Sequence, residues 1–130
     1  MDASSNVETT VRDFVDIINA HNTHAIVARC THDHVLVDSL GTRLTGSNQL
    51  RKAWEGYFAL FPDYHIQVET LAVAGNCVLL SGWASATHVA SSSKWCIPAA
   101  WRALVSKSHI AQWQVFADNK PVYEILSRDA

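Results

Sequence analysis

The chain has 130 residues, of which 48% are hydrophobic and 17% are charged, a size and balance that predict one globular domain over residues 1–130. Ten basic side chains against twelve acidic ones give a net charge of −2, and no cluster of Lys and Arg is present, so we expect no nucleic-acid partner. No apolar run approaches the roughly 18 residues of a membrane-spanning helix, so no membrane partner is expected either.

Three cysteines, Cys30, Cys77 and Cys96, stand far apart in the sequence and are odd in number. This pattern predicts neither a disulfide framework nor a thiolate metal site, and we expect reduced, buried thiols that act as small apolar residues. The first ten residues lack the basic and apolar regions of a secretory signal, which predicts a cytoplasmic location.

Three helices are predicted in the first half of the chain. Ser5 followed by Glu8 is a capping-box pattern, and apolar residues then recur at helical spacing as far as Ile18. Asn22 or Thr23 can cap a second, shorter helix. A third helix opens at Gly46-Ser47 and is stopped by Pro62. Its apolar stripe contains Leu50, Trp54, Tyr57, Phe58 and Phe61.

Strands account for most of the remaining chain. The run His34–Asp38 and the short run Arg43–Thr45 have the composition of strands, and from Tyr64 onward four antiparallel strands are predicted as a meander. The tail Pro121–Leu126 is expected to pack on an edge of the sheet. Helices first and sheet second is an α+β layout, in which the helices cover one face of a curled antiparallel sheet.

Three segments carry a family resemblance: 14–22 running into Ala25-Ile26-Val27, 37–41 followed by Gly46, and 113–121. Together with the element order, they resemble the NTF2-like superfamily, specifically its SnoaL-like polyketide-cyclase and ketosteroid-isomerase branches. The resemblance implies a cone-shaped half-barrel with three N-terminal helices on a curved antiparallel sheet, which encloses one apolar pocket. It also implies a homodimer joined through the outer sheet face. Chemistry varies widely across this fold, so the site residues must decide it.

Asp38 matches the position at which the isomerase branch keeps its general base. A carboxylate that faces an apolar cavity loses hydration and becomes a better base for a C–H proton next to a carbonyl. The alternative is that Asp38 forms a turn by accepting hydrogen bonds from the backbone ahead of it, toward Leu40 and Gly41.

Two departures from the isomerase pattern matter. In that branch a helix-one Tyr and a protonated Asp donate hydrogen bonds to the developing oxyanion, and the matching positions are Phe14 and Ala100, whose side chains cannot donate. Loss of one such donor typically costs about 10²–10³ in rate, so ordinary steroid isomerisation is excluded. Phe14 and Ala100 are then expected only to bind substrate.

The polyketide-cyclase branch instead places an acid/base beside a Trp-Asp pair on its closing strand. This chain has Trp113 followed by Gln114 there, and Gln114 cannot exchange protons. The nearest carboxylate is that of Asp118, which either reaches the pocket with Trp113 or forms an exposed turn before Pro121.

His88 and Arg102 are the other candidate catalytic residues. His88 ends a strand whose same-side residues, among them Gly82 and Ala84, are small or apolar, which predicts a roomy pocket with His88 at its rim as a proton donor. Arg102, expected on the same side as Ala100, can supply a cation to an anionic or enolate group. The alternatives are a histidine bonded to backbone or water and an arginine at the sheet surface.

Trp83, Trp95 and Trp101 are expected together on the opposite sheet side, where three tryptophans form an apolar patch suited to a symmetric dimer. Trp54 and Tyr57 on the third helix are predicted to face the sheet and line the pocket, or else to be ordinary core residues.

The histidines at positions 21, 24, 32 and 34 have spacings that resemble metal chelates, but no Cys or Glu completes a ligand set, so no metal site is predicted. Neither a nucleotide-binding fingerprint nor a GxSxG motif is present, and we expect no cofactor. The leading hypothesis is therefore a protein that binds a small apolar carbonyl compound and uses Asp38 for proton transfer. Its rival is a ligand carrier or dimeric interaction module without catalysis.

Overall fold

The structure is a computed structural model that describes residues 3–128, with side chains from Asn6 onward. Its elements in chain order are α1 (Ala3–Asn19), α2 (Thr23–Ala28), β1 (Cys30–Val37), β2 (Arg43–Thr45), α3 (Ser47–Leu60), β3 (His65–Ala74), β4 (Cys77–Thr87), β5 (Lys94–Ser106), β6 (His109–Ala117) and α4 (Lys120–Arg128). The α+β layout with three N-terminal helices is confirmed.

Local signals set most helix boundaries. Asn22 caps α2, because its Oδ1 accepts a hydrogen bond from the backbone N–H of Ala25 at 3.0 Å. Helix α3 ends at Leu60, directly before the Phe61-Pro62 step, as predicted. Helix α1 begins at Ala3, so Ser5 lies inside the helix rather than ahead of it. The predicted capping bond of Ser5 concerns a side chain outside the described part.

The six strands form one sheet in the order β2-β1-β6-β5-β4-β3. Strands β3 to β6 are the predicted antiparallel meander. Strand β1, however, pairs in parallel with β6, so the predicted antiparallel sheet contains one parallel pair that the sequence analysis did not foresee. The meander fixes the direction of β6, and the crossover through α3 leaves β1 running the same way. The composition of a strand carries no information about that direction.

Helix α1 packs against one face of this sheet, which we call the concave face. Its buried stripe includes Val11, Phe14 and Ile18, and the Phe14 ring meets Trp113 of β6 edge-on with centroids 5.2 Å apart. Strands β4 and β5 supply Leu80 and Trp101, which are register partners on this face. The opposite, convex face carries the alternate residues of the same strands.

The tail, for which the sequence analysis predicted only packing on an edge of the sheet, forms a helix. In α4, Val122 and Ile125 are buried, and this spacing of apolar residues is helical. Pro121 is tolerated because the first helical turn needs no backbone donor there, and the carboxylate of Asp118 accepts from the Lys120 backbone N–H at 3.0 Å. No helix of the described residues combines the length and apolar character needed to cross a membrane.

The cysteines are free thiols, but the prediction that all three are buried was wrong. Cys96 is exposed, and Cys30 and Cys77 are half-buried. Cys96 lies on the convex face of β5, at a position that alternates with buried neighbours. Burial raises the pKa of the Cys30 thiol to about 12, so this thiol is protonated and unreactive at neutral pH.

Candidate functional site

A cavity of about 310 Å³ lies between the concave face, α3 and α4. Most of its lining is aliphatic or aromatic. The apolar residues are Leu36, Leu44, Ala53, Trp54, Leu60, Phe61, Ala84, Trp95, Ile97, Ala99, Trp113, Val115, Ala117, Val122 and Leu126, and the polar ones are Asp38, Ser39, Tyr57, Tyr64, Asn119 and Tyr123. Among these residues none is Lys, Arg or His, so the cavity suits a mainly apolar ligand without negative charge.

Asp38, Ser39 and Asn119 form what we call the rim of the cavity, where β1 ends and α4 begins. Asn119 Nδ2 donates to Ser39 Oγ at 2.6 Å, which links the two segments. Asp38 Oδ1 accepts from the backbone N–H groups of Leu40 and Thr42, both at 2.9 Å. The carboxylate is exposed to solvent. Asp38 therefore stabilises a turn, as the alternative interpretation required, while also lining the cavity.

Tyr57, Phe61, Tyr64 and Trp95 form what we call the aromatic wall. Tyr57 and Tyr64 meet edge-to-face with ring centroids 5.0 Å apart at 88°, and Phe61 meets Trp95 in the same way at 5.4 Å. Such T-shaped contacts are favourable beyond the area that they bury. The wall is therefore a mutually packed cluster in which each ring limits the orientation of the next.

The last residue of α1 and the turn that follows it fix the backbone at Tyr64 and Ile66. His21 Nε2 lies 2.7 Å from the Tyr64 carbonyl oxygen, and the His21 ring stacks on Phe58 with centroids 4.2 Å apart. Asn19 exchanges two hydrogen bonds with the backbone of Ile66, at 2.8 and 2.9 Å. The segment 19–22, which carried part of the family resemblance, thus positions one side of the aromatic wall.

The hydroxyl groups of Tyr57 and Tyr64 have no hydrogen-bond partner in the described part of the chain, and neither oxygen is fully buried. Tyr64 is only 7% exposed, and burial raises the pKa of both phenols; a smaller rise comes from Tyr123 acting on Tyr57, and from Tyr57 acting on Tyr64. Both phenols are consequently protonated at neutral pH and available as donors.

The indole N–H groups of two tryptophans on the cavity wall also lack a hydrogen-bond partner among the described residues. The Nε1 atoms of Trp95 and Trp113 are buried without an acceptor among the described residues, and so is Nε1 of Trp101 in the core beside them. Each buried unpaired donor typically costs about 1–3 kcal/mol. The concave side of the molecule therefore holds several hydrogen-bond donors that have no acceptor among the described residues.

Of the predicted site residues, Asp38, Trp54, Tyr57 and Trp113 line the cavity. Phe14 does not line it; the ring is buried behind Trp113. Because Phe14 sits on the sheet-facing stripe of α1, Trp113 shields it from the cavity.

Arg102 and Ala100 lie on the convex face, so their predicted place in the pocket was wrong. Arg102 pairs with Leu79 of β4 and Gln114 of β6, and Ala100 pairs with Ser81. All of these residues alternate with the buried concave positions. The cavity-lining position of β5 is Ala99, one residue before Ala100.

The prediction that three tryptophans share the outer sheet face was wrong for the same reason. Trp95 and Trp101 are 5% and 1% exposed on the concave face, whereas Trp83 is 40% exposed on the convex face. The register sets Trp83 opposite Pro98 and sets Leu80 opposite Trp101. The sequence analysis assigned the two faces of β5 the wrong way round relative to those of β4.

His88 is buried at the end of β4 and is not part of the cavity lining. Its Nδ1 lies 2.8 Å from Ser91 Oγ, and its ring is 5.9 Å from Phe61, so it supports the turn behind the aromatic wall. The roomy pocket predicted at Gly82 is absent there, because the space that a side chain at 82 would occupy holds the backbone of Gln67.

Asp118 is exposed and lines a separate surface groove next to α4 instead of the cavity. Its carboxylate caps the first turn of α4, which matches the turn alternative. Among the described residues no group of three or more His, Cys, Asp or Glu could hold a metal ion. His34, one of the spaced histidines, is buried with Nδ1 2.7 Å from the Ile110 carbonyl oxygen.

Four polar lining residues were not predicted from the sequence: Ser39, Tyr64, Asn119 and Tyr123. Tyr123 follows from the helical spacing of α4 once that helix is recognised. Tyr64 gave no such local signal, because it stands in the short connection between α3 and β3. Its burial depends on contacts with residues more than 40 positions away.

Solved structures share this fold. A proposed SnoaL-like polyketide cyclase from Jannaschia sp. CCS1 superimposes with a TM-score of 0.85, at 14% identity over 95% of this chain and 92% of that one. SalBIII, an epoxide hydrolase/cyclase-like enzyme in pyran ring formation in the polyether salinomycin, has a TM-score of 0.82, at 18% identity over 91% and 95%. A protein of ketosteroid isomerase-like fold from Catenulispora acidiphila DSM 44928, in complex with trimethylamine, has a TM-score of 0.76, at 18% identity over 82% and 83%.

Identities this low show the shared fold alone. No match was found among curated proteins. The family model of the SnoaL-like domain, however, matches residues 11–120, which includes α2, α3, all six strands and most of α1. The chain therefore belongs to the SnoaL-like family.

Proposed function

We propose that the cavity binds a small, mostly apolar carbonyl compound and that Asp38 acts on it as a general base in a cofactor-independent isomerisation or cyclisation. The observation that carries this proposal is the composition of the cavity. Its lining is apolar and aromatic, and Asp38 supplies its only carboxylate among the described residues. A neutral ligand with an acidic C–H bond matches that combination.

The geometry of Asp38 is compatible with both of its roles. The turn uses Oδ1, while Oδ2 has no hydrogen-bond donor within the described chain. A carboxylate with one oxygen anchored has a fixed orientation, and its free oxygen can accept a proton. In the proposed step a C–H bond next to the carbonyl breaks, the proton goes to Asp38, and the electron pair moves to the carbonyl oxygen.

Exchange of hydrogen for deuterium next to a carbonyl tests this step without knowledge of the natural substrate. We expect the protein to accelerate the loss of the proton signal of 1-tetralone at carbon 2 in D₂O, followed by NMR. Asp38→Asn should lower that acceleration by about 100-fold, within the usual range for a general base, while binding persists. The asparagine keeps Oδ1, so the turn is retained.

Asp38→Ala is the matched variant, because it removes Oδ1 as well. It should lose the exchange activity and also about 1–2 kcal/mol of stability, from two unpaired backbone N–H groups. Undiminished exchange in Asp38→Asn, with the ketone bound, would remove Asp38 from the mechanism.

A second candidate function is ligand binding without turnover. The exposure of Asp38 and its bonds to the turn favour it, since both reflect a structural role. In that case thermal-shift measurements show stabilisation by apolar carbonyl compounds, but no exchange at carbon 2 exceeds the rate in buffer.

We also infer a homodimer through the convex face, although the patch differs from the one predicted. Leu79, Trp83 and Phe116 are 52%, 40% and 47% exposed there, and exposed apolar patches of this kind often mark interfaces between subunits. Sedimentation velocity at micromolar concentration is the measurement; a 14.4 kDa species would contradict the dimer. The cytoplasmic location remains a prediction from the sequence.

A further inference from the structure

We propose that the hydroxyl groups of Tyr57 and Tyr64 form a donor pair that binds the carbonyl oxygen of the ligand at the aromatic wall. This inference rests on the proposed function and refines it, because it assigns the ligand's oxygen to a place in the cavity. It also commits to a neutral ketone or aldehyde as the ligand class, in preference to a hydrocarbon or an amine.

The first argument is that both hydroxyls lack a partner. Tyr64 is more than nine-tenths buried, lines the cavity, and makes no hydrogen bond through its hydroxyl within the described chain. Neither hydroxyl oxygen is among the fully buried unpaired atoms, so both remain accessible. A phenol that keeps its hydroxyl unpaired in an apolar cavity is suited to an acceptor that arrives with the ligand.

The second argument is that the two phenols act together. Their rings are in edge-to-face contact, and charge on one phenol would oppose charge on the other, which helps to keep both protonated. Two neutral O–H donors on adjoining rings match one carbonyl oxygen, which has two lone pairs. An ammonium group would instead pair with the Asp38 carboxylate at the rim, and a hydrocarbon would leave both donors unpaired.

The third argument is that the backbone of Tyr64 is fixed independently of any ligand. Asn19, the last residue of α1, holds the backbone of Ile66, which lies 47 residues away in sequence. His21, in the turn after α1, lies 2.7 Å from the carbonyl oxygen of Tyr64, which lies 43 residues away. Donors that are held in place before binding need no reorganisation when negative charge develops on oxygen. The pair thus supplies the hydrogen bonds that Phe14, lacking a hydroxyl, cannot give.

Three probes with one bicyclic skeleton test the assignment: 1-tetralone, tetralin, and 1-aminotetralin as a cation. Calorimetry or thermal shift on the full chain should show tighter binding of the ketone than of the hydrocarbon or the amine. Tyr64→Phe and Tyr57→Phe should each weaken ketone binding about 3- to 10-fold, the usual effect of one neutral hydrogen bond. Tetralin affinity should stay the same in both variants.

Tyr123→Phe is the matched control. Tyr123 is the third and last tyrosine of the chain, it also lines the cavity, and it is largely exposed on α4. We expect it to change ketone affinity less than either wall variant. An equal or larger effect would overturn the assignment to Tyr57 and Tyr64.

A spectroscopic readout separates hydrogen bonding from packing. The carbonyl stretch of ¹³C-labelled 1-tetralone should shift to lower frequency on binding, and the shift should diminish in the Tyr57→Phe/Tyr64→Phe double variant. In the ligand-free protein, Tyr64→Phe should unfold at the same urea concentration as the parent or a higher one, because the lost hydroxyl has no protein partner.

The outcomes distinguish this inference from the function on which it rests. Equal binding of ketone and hydrocarbon, or an unshifted carbonyl stretch, overturns the donor pair and leaves an apolar pocket. Tightest binding of the amine overturns it in favour of a cation site. Failure of all three probes to bind contradicts both proposals. If the protein instead prefers the ketone in a way that depends on Tyr64 and yet does not accelerate exchange at carbon 2, that result supports the donor pair and contradicts the proposed catalytic role of Asp38.

Discussion

The two faces of the sheet differ in how their polar atoms are satisfied. On the convex face, Trp83 is exposed and its indole N–H donates to the Glu69 carboxylate. On the concave face, Trp95, Trp101 and Trp113 are buried and their indole N–H groups have no acceptor among the described residues. The same residue type is therefore paired where water is close and unpaired where it is excluded.

That contrast is the reverse of what stability alone would select, since buried donors cost more when unpaired than exposed ones. The unpaired groups also include the two tyrosine hydroxyls that line the cavity. This concentration of unpaired donors on one face is what the proposed carbonyl ligand would satisfy, whereas the indole N–H on the convex face already has a protein acceptor.

Substitution of matched tryptophans gives the largest expected effect. Trp101→Ala should lower the free energy of unfolding by about 3–5 kcal/mol, because it leaves a cavity in the core. Trp83→Ala should lower it by less than about 1 kcal/mol for the protomer, because the ring is partly exposed. Urea unfolding followed by circular dichroism measures both.

The protein concentration sharpens this test. If Trp83 also contributes to a dimer, its loss should make the unfolding midpoint depend less on concentration. Trp101→Phe is the milder variant should Trp101→Ala fail to fold, and it removes no hydrogen bond. Similar losses from the two alanine variants would show that the two faces are not differently buried.

The elements that the sequence predicted well are those with signals inside a single segment. Helix α3 lies between the Gly46 and Pro62 signals, and β2 covers Arg43–Thr45 as predicted. The meander was predicted from turn residues such as Gly75. Its φ is 62°, a conformation that glycine adopts without steric cost because it has no Cβ. In each case the deciding interactions lie within a few residues.

The register between strands was not predictable in this way. Alternation assigns two sides to each strand, but it does not say which side of β5 matches which side of β4. A shift by one residue exchanges the faces, and bulges between Val68 and Thr70 and between Leu104 and Val105 add such shifts. Arg102 was therefore placed in the pocket, where the cavity lining of β5 in fact comes from Ala99.

The residues of the candidate site also differ in whether local sequence or distant contacts determine their positions. Asp38 was identified from the sequence in two ways: the resemblance of residues 37–41 to the isomerase branch suggested a base, and an Asp shortly before Gly41 suggested a turn. Tyr64 was not found, because its burial depends on Asn19 and His21 at the end of α1. The sequence predicts interactions within a few residues, such as the Asp38 turn, but it does not predict which distant segments hold Tyr64 in place.

Glycine substitutions give a smaller effect and examine the concave face directly. A Cβ at Gly82 would lie 1.9 Å from the Gln67 carbonyl oxygen and 3.1 Å from the Glu69 backbone nitrogen. Neither atom can move without breaking the β3–β4 ladder beside the bulge. Gly82→Ala should therefore cost about 2–3 kcal/mol, near the upper end for overpacking.

Gly56→Ala is the control, because a Cβ at this exposed position of α3 meets nothing within 4 Å. Alanine is the better helix former, so the free energy of unfolding should rise by about 0.5–1 kcal/mol. The same chemical change should thus have opposite signs at the two sites in urea unfolding. A neutral Gly82→Ala would mean that the bulge can shift away from the concave face. The small residues of β4 would then leave room for a ligand, as the sequence alone predicted, and the cavity would extend beyond Ala84.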